Sequence, residues 1–123
     1  MKEVIITKYG APEVLQVREK RTPIPSNNEI LVQNHFTGIN FSEIMARMRL
    51  YPGAPKPPTT LGAEGCGIIE SVGENVTKFQ SGDGVMVFSR HASYATHICT
   101  SEDMVMPLPD NFSKNQVILR IDI

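Results

Sequence analysis

The stretch GINFSEIMARMRLYPGAPKPPTTLGAEGCG, residues 38–67, combines signals for one short helix with a loop that excludes regular structure. Asn40 can cap a helix over residues 41–49, and Glu43 has the spacing that completes a capping box. Glu43 also stands four positions before Arg47, the favourable order for an ion pair along a helix. The following YPGAPKPP contains four prolines, which remove backbone donors and fix φ. The stretch therefore predicts a capped helix and then a stiff extended loop.

Outside this stretch, short apolar runs separated by turn residues are typical of an all-β sandwich or barrel. The candidate strands cover residues 3–7, 14–19, 30–37, 67–72, 85–88 and 94–99. In the third strand, Phe36 belongs to the apolar side, which only Asn34 interrupts, and His35 belongs to the more polar side. We therefore predict a mainly β domain in which Phe36 faces the core and His35 faces solvent.

Composition and charge exclude several functional classes. The 123 residues fit one domain, and 41% hydrophobic with 20% charged residues is typical of a globular protein. The 12 basic and 13 acidic residues are scattered, which argues against binding to nucleic acid or an anionic membrane. There is no apolar run of about 18 residues and no signal-peptide pattern, so a cytoplasmic location is expected. Cys66 and Cys99 lack CxxC spacing and are predicted to be free thiols.

The sequence carries weak or no signals for a dinucleotide fingerprint, a metal site and a hydrolase. The glycines at 62, 65 and 67 run G-x-x-G-x-G before a strand-like segment, so they predict close backbone approach or a bulge, not a dinucleotide fingerprint. His97 and Cys99 point the same way on a predicted strand, but two ligands without a third do not make a metal site. No G-x-S-x-G elbow supports a hydrolase. The sequence does not decide between a helix and a strand at the C-terminus, because Ser113 and Gln116 have capping-box spacing whereas VILRIDI favours a strand.

A series of spaced motifs makes the sequence specific. GIN-F-S-E-x-M-A-R, LYP, P-x-x-L-G-x-E-x-x-G-x-I-x-x-V-G-x-x-V and GDxV follow one another, with Y-G-x-P-E-V-L before them and P-L-P-D after them. Residues 1–116 thereby resemble the N-terminal GroES-like domain of the medium-chain dehydrogenase/reductase superfamily, and residues 117–123 diverge from it. Within the superfamily, the run is similar to the zinc-independent quinone oxidoreductase group, and NFSEIMARMRLY resembles its vesicle amine transport protein homologue branch. The resemblance implies a partly open β-barrel with one or two short helices.

Two departures from zinc-dependent relatives bear on the chemistry. Those relatives have a cysteine where Asn40 stands and a histidine where Ala63 stands, both as ligands of the catalytic metal. Neither residue here can hold zinc, and the four-cysteine lobe of the structural zinc is missing, so no metal is expected. Glu64, which matches the family's G-x-E, is expected to accept backbone hydrogen bonds among the glycines.

The resemblance also implies a site. Asn40, Phe41, Glu43 and Met45 would face the nicotinamide end of NADPH. Arg47 and Tyr51 would be the catalytic residues on the substrate side, where a tyrosine hydroxyl can donate to a carbonyl oxygen. Glu43 stands where many relatives have aspartate.

The implied function is the reduction of a small quinone or enone with hydride from NADPH, in a cleft between this domain and a Rossmann domain. No Rossmann fingerprint occurs in the 123 residues, so we expect this chain alone to bind no cofactor and to be inactive. An alternative is a free-standing GroES-like module without catalysis, whose exposed inter-domain face drives self-association or captures a protein. A third reading, a fragment of a zinc-dependent alcohol dehydrogenase, is disfavoured by Asn40 and Ala63.

Overall fold

The computed structural model describes residues 1–111, which form two antiparallel sheets and one α-helix. The three-stranded sheet has the order β2-β1-β4 and contains β1 (Lys2–Ile6), β2 (Leu15–Glu19) and β4 (Thr59–Thr60). The five-stranded sheet has the order β7-β3-β5-β6-β8 and contains β3 (Glu29–Thr37), β5 (Glu64–Val72), β6 (Gly84–Phe88), β7 (His97–Ser101) and β8 (Val105–Pro107). Helix α1 covers Phe41–Arg47, and short 3-10 turns cover Pro12–Val14 and Glu102–Met104. This architecture confirms the predicted mainly β class.

Two separate apolar clusters hold the domain together. The larger lies within the five-stranded sheet and is made of Ile30, Val32, Ile69, Val85, Val87, Ile98 and Val105. The smaller joins α1, through Ala46, to Ile6 of β1 and to Val14 and Leu61. Because α1 has only seven residues and would be marginal by itself, this second cluster is what fixes it against the three-stranded sheet.

The predicted core face of β3 is wrong at one end. Phe36 is 45% exposed, although it lies on the side expected to be buried. The register against β5 shifts between Asn34, which pairs with Gly67, and Phe36, which pairs with Cys66, and this irregularity reverses the faces of the strand. His35 is exposed, as predicted.

Several predicted boundaries also move. The helix ends at Arg47 and not at residue 49, and β5 begins at Glu64, so two glycines lie inside the strand. One of them is required there, because a Cβ on Gly67 would run into the carbonyl oxygen of Gln33. Strand β7 begins at His97 and not at residue 94.

Strand β7 starts later than predicted because the residues before it pair with β1. Residues 94–96 turn to β1, where Val4 N–H donates to Tyr94 O at 2.8 Å and Thr96 N–H donates to Lys2 O at 2.8 Å. Strands β4 and β8 were not predicted, because segments of two and three residues carry no periodicity. The predictions for Ser113, Gln116 and residues 117–123 lie outside the described residues.

Two further features bear on location and redox state. Cys66 and Cys99 are free thiols, which confirms the prediction. Across residues 1–111, the one α-helix is too short to cross a bilayer.

Candidate functional site

The carboxylate of Glu43 joins three parts of the chain at the start of α1. It is 7% exposed, and its Oε2 accepts hydrogen bonds from Asn40 N–H at 2.6 Å and from the Tyr94 hydroxyl at 2.9 Å. Its Oε1 accepts a bond from Ala63 N–H at 2.9 Å. The hydrogen bond from Asn40 N–H to the Glu43 side chain is part of the capping box that the sequence predicts. Glu43 therefore fixes where α1 begins relative to the segments before β5 and β7.

Arg47 anchors the other end of the helix. Its Nη1 donates to Gly10 O at 2.7 Å, and Gly10 N–H donates to Arg47 O at 2.9 Å. The ion pair predicted between Glu43 and Arg47 is wrong, because neither residue is in an ion pair within residues 1–111. The physical reason is that each charged group turns away from the other, to hydrogen-bond partners on a neighbouring segment.

The outer face of α1 and its following loop is apolar and open. Phe41 is 73% exposed and Tyr51 is 45% exposed. The other large apolar side chains exposed in this region are Ile39, Ile44, Met48 and Leu50. We call this set of six the α1 face. Several large apolar side chains exposed within one short segment are typical of a surface that contacts a ligand or another domain.

The structure separates the six predicted site residues into three groups. Phe41 and Tyr51 lie on the open α1 face, whereas Glu43 and Arg47 point inward and are engaged by the fold. Asn40 and Met45 are half-buried between them. The predicted residues are thus on one helix and its loop, but two act through the scaffold and not at its surface.

Two adjoining cavities lie beside α1. An open groove of ≈ 370 Å³ runs between the β1–β2 hairpin and the segment before β7. A more enclosed cavity of ≈ 140 Å³ lies behind the helix, with Glu43 and Arg47 in its wall. Leu15, Ile39 and Tyr94 line both, so the two cavities adjoin.

Sequence reasoning missed the importance of Tyr94 and Leu15. Tyr94 is 51 positions from its partner Glu43, and nothing in the local pattern around either residue links the two. Leu15 belongs to a predicted strand, but the pattern does not reveal that its side chain remains partly open beside the helix.

A buried carboxylate stabilises the wall of the open groove. Glu3 accepts hydrogen bonds from the Thr60 hydroxyl at 2.8 Å and from Arg18 Nε at 2.7 Å, and it lies 3.2 Å from Lys20 Nζ. Burial opposes its ionisation, but the hydrogen bonds from Thr60, Arg18 and Lys20, with the Lys20 charge, outweigh it and lower the pKa of Glu3.

The candidate metal ligands are occupied in other ways. Cys99 Sγ donates to Glu29 Oε2 at 3.5 Å, and burial followed by the Glu29 charge and this hydrogen bond raises the pKa of Cys99 to about 11. His97 Nε2 lies 3.4 Å from Glu70 Oε2. No group of three His, Cys, Asp or Glu side chains suited to a metal occurs in residues 1–111.

The two positions that hold zinc ligands in zinc-dependent relatives do lie together. Asn40 and Ala63 both donate their backbone N–H to the carboxylate of Glu43, which itself has its oxygens occupied. Glu64 is buried next to Gly38. Position 38 requires glycine, because a Cβ on Gly38 would clash with the carboxylate of Glu64. The expected acceptance of backbone hydrogen bonds by Glu64 stays a prediction.

Comparison with known proteins gives a consistent family. The alcohol dehydrogenase GroES-like domain matches residues 26–110. Mouse quinone oxidoreductase is 33% identical over 118 residues, covering 94% of this chain and 36% of that protein. Human synaptic vesicle membrane protein VAT-1 homolog-like is 31% identical over 113 residues, covering 92% of this chain and 27% of that protein. This chain therefore spans about a third of the length of the curated relatives it matches.

Solved structures agree with the sequence matches. The human synaptic vesicle membrane protein VAT-1 homolog-like protein superposes with a TM-score of 0.91 at 30% identity, over 96% of this chain and 38% of that chain. The Escherichia coli quinone oxidoreductase complexed with NADPH superposes with a TM-score of 0.90 at 35% identity, over 96% of this chain and 36% of that chain.

Proposed function

The chain belongs to the alcohol dehydrogenase GroES-like domain family, in the quinone oxidoreductase group of medium-chain dehydrogenases/reductases, and we propose that it forms the substrate-side domain of an NADPH-dependent quinone or enone reductase. The observation that carries the proposal is the open α1 face on a helix anchored at both ends by Glu43 and Arg47. Such a helix presents side chains to a cleft in a fixed orientation, as catalysis by positioning requires.

The residues at the start of α1 fit the nicotinamide end of NADPH. That end is a flat neutral ring with an amide, and the groups exposed beside it would be Ile39 and Phe41. The one acidic side chain there, Glu43, is enclosed and hydrogen-bonded, so no free carboxylate faces the ring. Asn40 and Met45 are half-buried next to these residues and complete the predicted set. NADPH, when bound, supplies the hydride.

Each predicted residue then has a role that matches its exposure. Tyr51 would donate its hydroxyl hydrogen to the substrate carbonyl oxygen, since within residues 1–111 that hydroxyl has no hydrogen-bond partner. Phe41 would exclude water from the reacting atoms. Glu43 would orient the helix without touching the cofactor, and Arg47 would form the inner wall on the substrate side.

A chimaera tests the proposal. Residues 1–111 would replace the matching part of the Escherichia coli quinone oxidoreductase, and NADPH oxidation would be followed with 1,4-benzoquinone and with an enone. We expect reduction of one of them by the chimaera and none by the 123-residue chain alone. A folded chimaera that binds NADPH but reduces neither compound contradicts the proposal.

The alternative function, a self-associating module, is favoured by the same apolar face. Its occupant would be a second copy of this chain, because the side chains of the α1 face are exposed in the structure of residues 1–111. Sedimentation of the chain with and without Phe41→Asp separates the two functions. A dimer that dissociates in the variant supports self-association, and a monomer in both contradicts it. A cytoplasmic location stays a prediction.

A further inference from the structure

The smaller cavity beside α1 has a buried cation, Arg47, in its wall, and most of the N–H donors of this residue make no hydrogen bond within residues 1–111. Arg47 is 9% exposed, and its guanidinium carries five N–H donors. Within residues 1–111, the bond from Nη1 to Gly10 O is the one hydrogen bond that the guanidinium makes, and no ion pair compensates its charge. None of its nitrogens is among the solvent-inaccessible side-chain atoms that lack a partner, and Arg47 is part of the cavity wall.

That cavity has a volume of ≈ 140 Å³, and its lining is mainly apolar. Its apolar lining consists of Pro12, Leu15, Ile39, Ile44 and Leu61. It adjoins the ≈ 370 Å³ groove, with Leu15 and Ile39 in the lining of both, and the volume of that groove is in the range of small-molecule sites. A mainly apolar pocket with a few polar groups in its lining is the usual form of such a site.

We propose that these adjoining cavities bind a small hydrophobic carboxylic acid, with its carboxylate on the Arg47 guanidinium and its apolar body along Leu15 and Ile39. A guanidinium presents parallel donors that match the two oxygens of a carboxylate. An ion pair formed there would be shielded from water by the apolar lining, which strengthens it.

The second charge of the cavity does not compete for this ligand. Glu43 lies in the same wall, but its two oxygens already accept hydrogen bonds from Asn40, Ala63 and Tyr94. These bonds hold Glu43 in place, and Arg47 is the one cationic residue in the cavity wall within residues 1–111, so an anion would bind at Arg47.

The inference does not rest on the proposed reductase activity. An alkyl carboxylate has no carbonyl of the quinone or enone type to be reduced, and binding can be measured without NADPH. Separate measurements therefore test the carboxylate site and the reductase function, and failure of one does not contradict the other.

Calorimetric titration of the 123-residue chain with octanoate, and with octanamide as the neutral isostere, tests the site. We expect saturable binding of octanoate that is at least about tenfold tighter than that of octanamide. Arg47→Gln should lose at least about tenfold in octanoate affinity, whereas Arg49→Gln, a control two positions along, should not.

A second variant keeps the test valid if Arg47→Gln does not fold. Leu15→Trp fills the junction of the two cavities from a partly exposed position, and it should abolish octanoate binding while the circular dichroism spectrum is kept. The proposal is overturned if the wild-type chain binds no octanoate, if octanamide binds as tightly, or if folded Arg47→Gln or Leu15→Trp binds octanoate as the wild type does.

Discussion

The Tyr94 hydroxyl donates to the Glu43 carboxylate at 2.9 Å, across 51 positions of sequence. The same carboxylate accepts the N–H of Ala63, so the start of α1, the entry to β5 and the entry to β7 meet at one enclosed group. The helix that carries the α1 face is thus oriented by residues that lie outside it.

Removing the Tyr94 hydroxyl should loosen this junction. Tyr94→Phe is expected to lower the free energy of unfolding by about 1.5–3 kcal/mol, because it deletes one hydrogen bond to a charged, buried acceptor. Hydrogen exchange at the Ala63 amide should accelerate with it. Chemical denaturation measures the first effect, and Tyr51→Phe is the matched control, with a change within about 0.5 kcal/mol expected for an exposed side chain. Equal effects of the two variants would contradict the role of Tyr94.

The Glu3 cluster should make stability depend on pH. The pKa of Glu3 is lowered in the folded state, so its contribution is present above the ordinary value of 4.5 and is lost as pH falls through the folded pKa. Denaturation at pH values from 7 to 3 should show a steeper loss of unfolding free energy for the wild type than for Glu3→Gln. Glu74→Gln, at an exposed position, serves as the control and should keep the wild-type slope. A parallel loss in wild type and Glu3→Gln would refute the assignment.

The helix and the fold class could be predicted from local signals, whereas the face of Phe36 could not. Caps, prolines and apolar runs act over a few residues, so Asn40 and Glu43 indicate the start of α1 directly. The reversal at Phe36 depends on a register shift between two strands that lie far apart in sequence. The role of Tyr94 likewise arises only when the segment before β7 folds back onto the helix. Long-range pairing, and not composition, decides these positions.

The glycine inside β5 should not tolerate a side chain. Gly67→Ala would place its Cβ against the carbonyl oxygen of Gln33, a backbone atom that cannot move aside without breaking the β3–β5 pairing. We expect a loss of about 1–3 kcal/mol in the free energy of unfolding, as for other overpacked sites. Gly84→Ala is the control, because the nearest atoms to its Cβ are side-chain carbons of Leu108 at 3.5 Å and beyond. Similar losses at both positions would show that the close approach is not the cause.

Cys99 should react slowly with alkylating reagents. The thiolate is the nucleophile, and a pKa of about 11 leaves little of it at pH 8. Glu29→Gln removes the charge and the acceptor that raise the pKa, so the iodoacetamide rate at Cys99 should increase, although burial, the largest cause, remains. Mass spectrometry of the modified peptide measures this rate. An unchanged rate in Glu29→Gln would mean that burial alone controls the thiol.

Tyr51 should contribute to the rate of the reductase chimaera and not to its stability. Its side chain is 45% exposed, and its backbone carbonyl anchors the loop by accepting Ala54 N–H at 3.1 Å. Tyr51→Phe keeps that backbone bond and loses only the hydroxyl, so kcat/KM for a quinone should fall about three- to tenfold, the range expected for one neutral hydrogen bond. Tyr9→Phe is the matched control, because its hydroxyl donates to Pro55 O at 3.1 Å and supports the same loop from within. It should lower the unfolding free energy while leaving kcat/KM near the wild-type value. If Tyr9→Phe reduced kcat/KM as much as Tyr51→Phe, the effect would lie in the loop and not in a bond to the substrate.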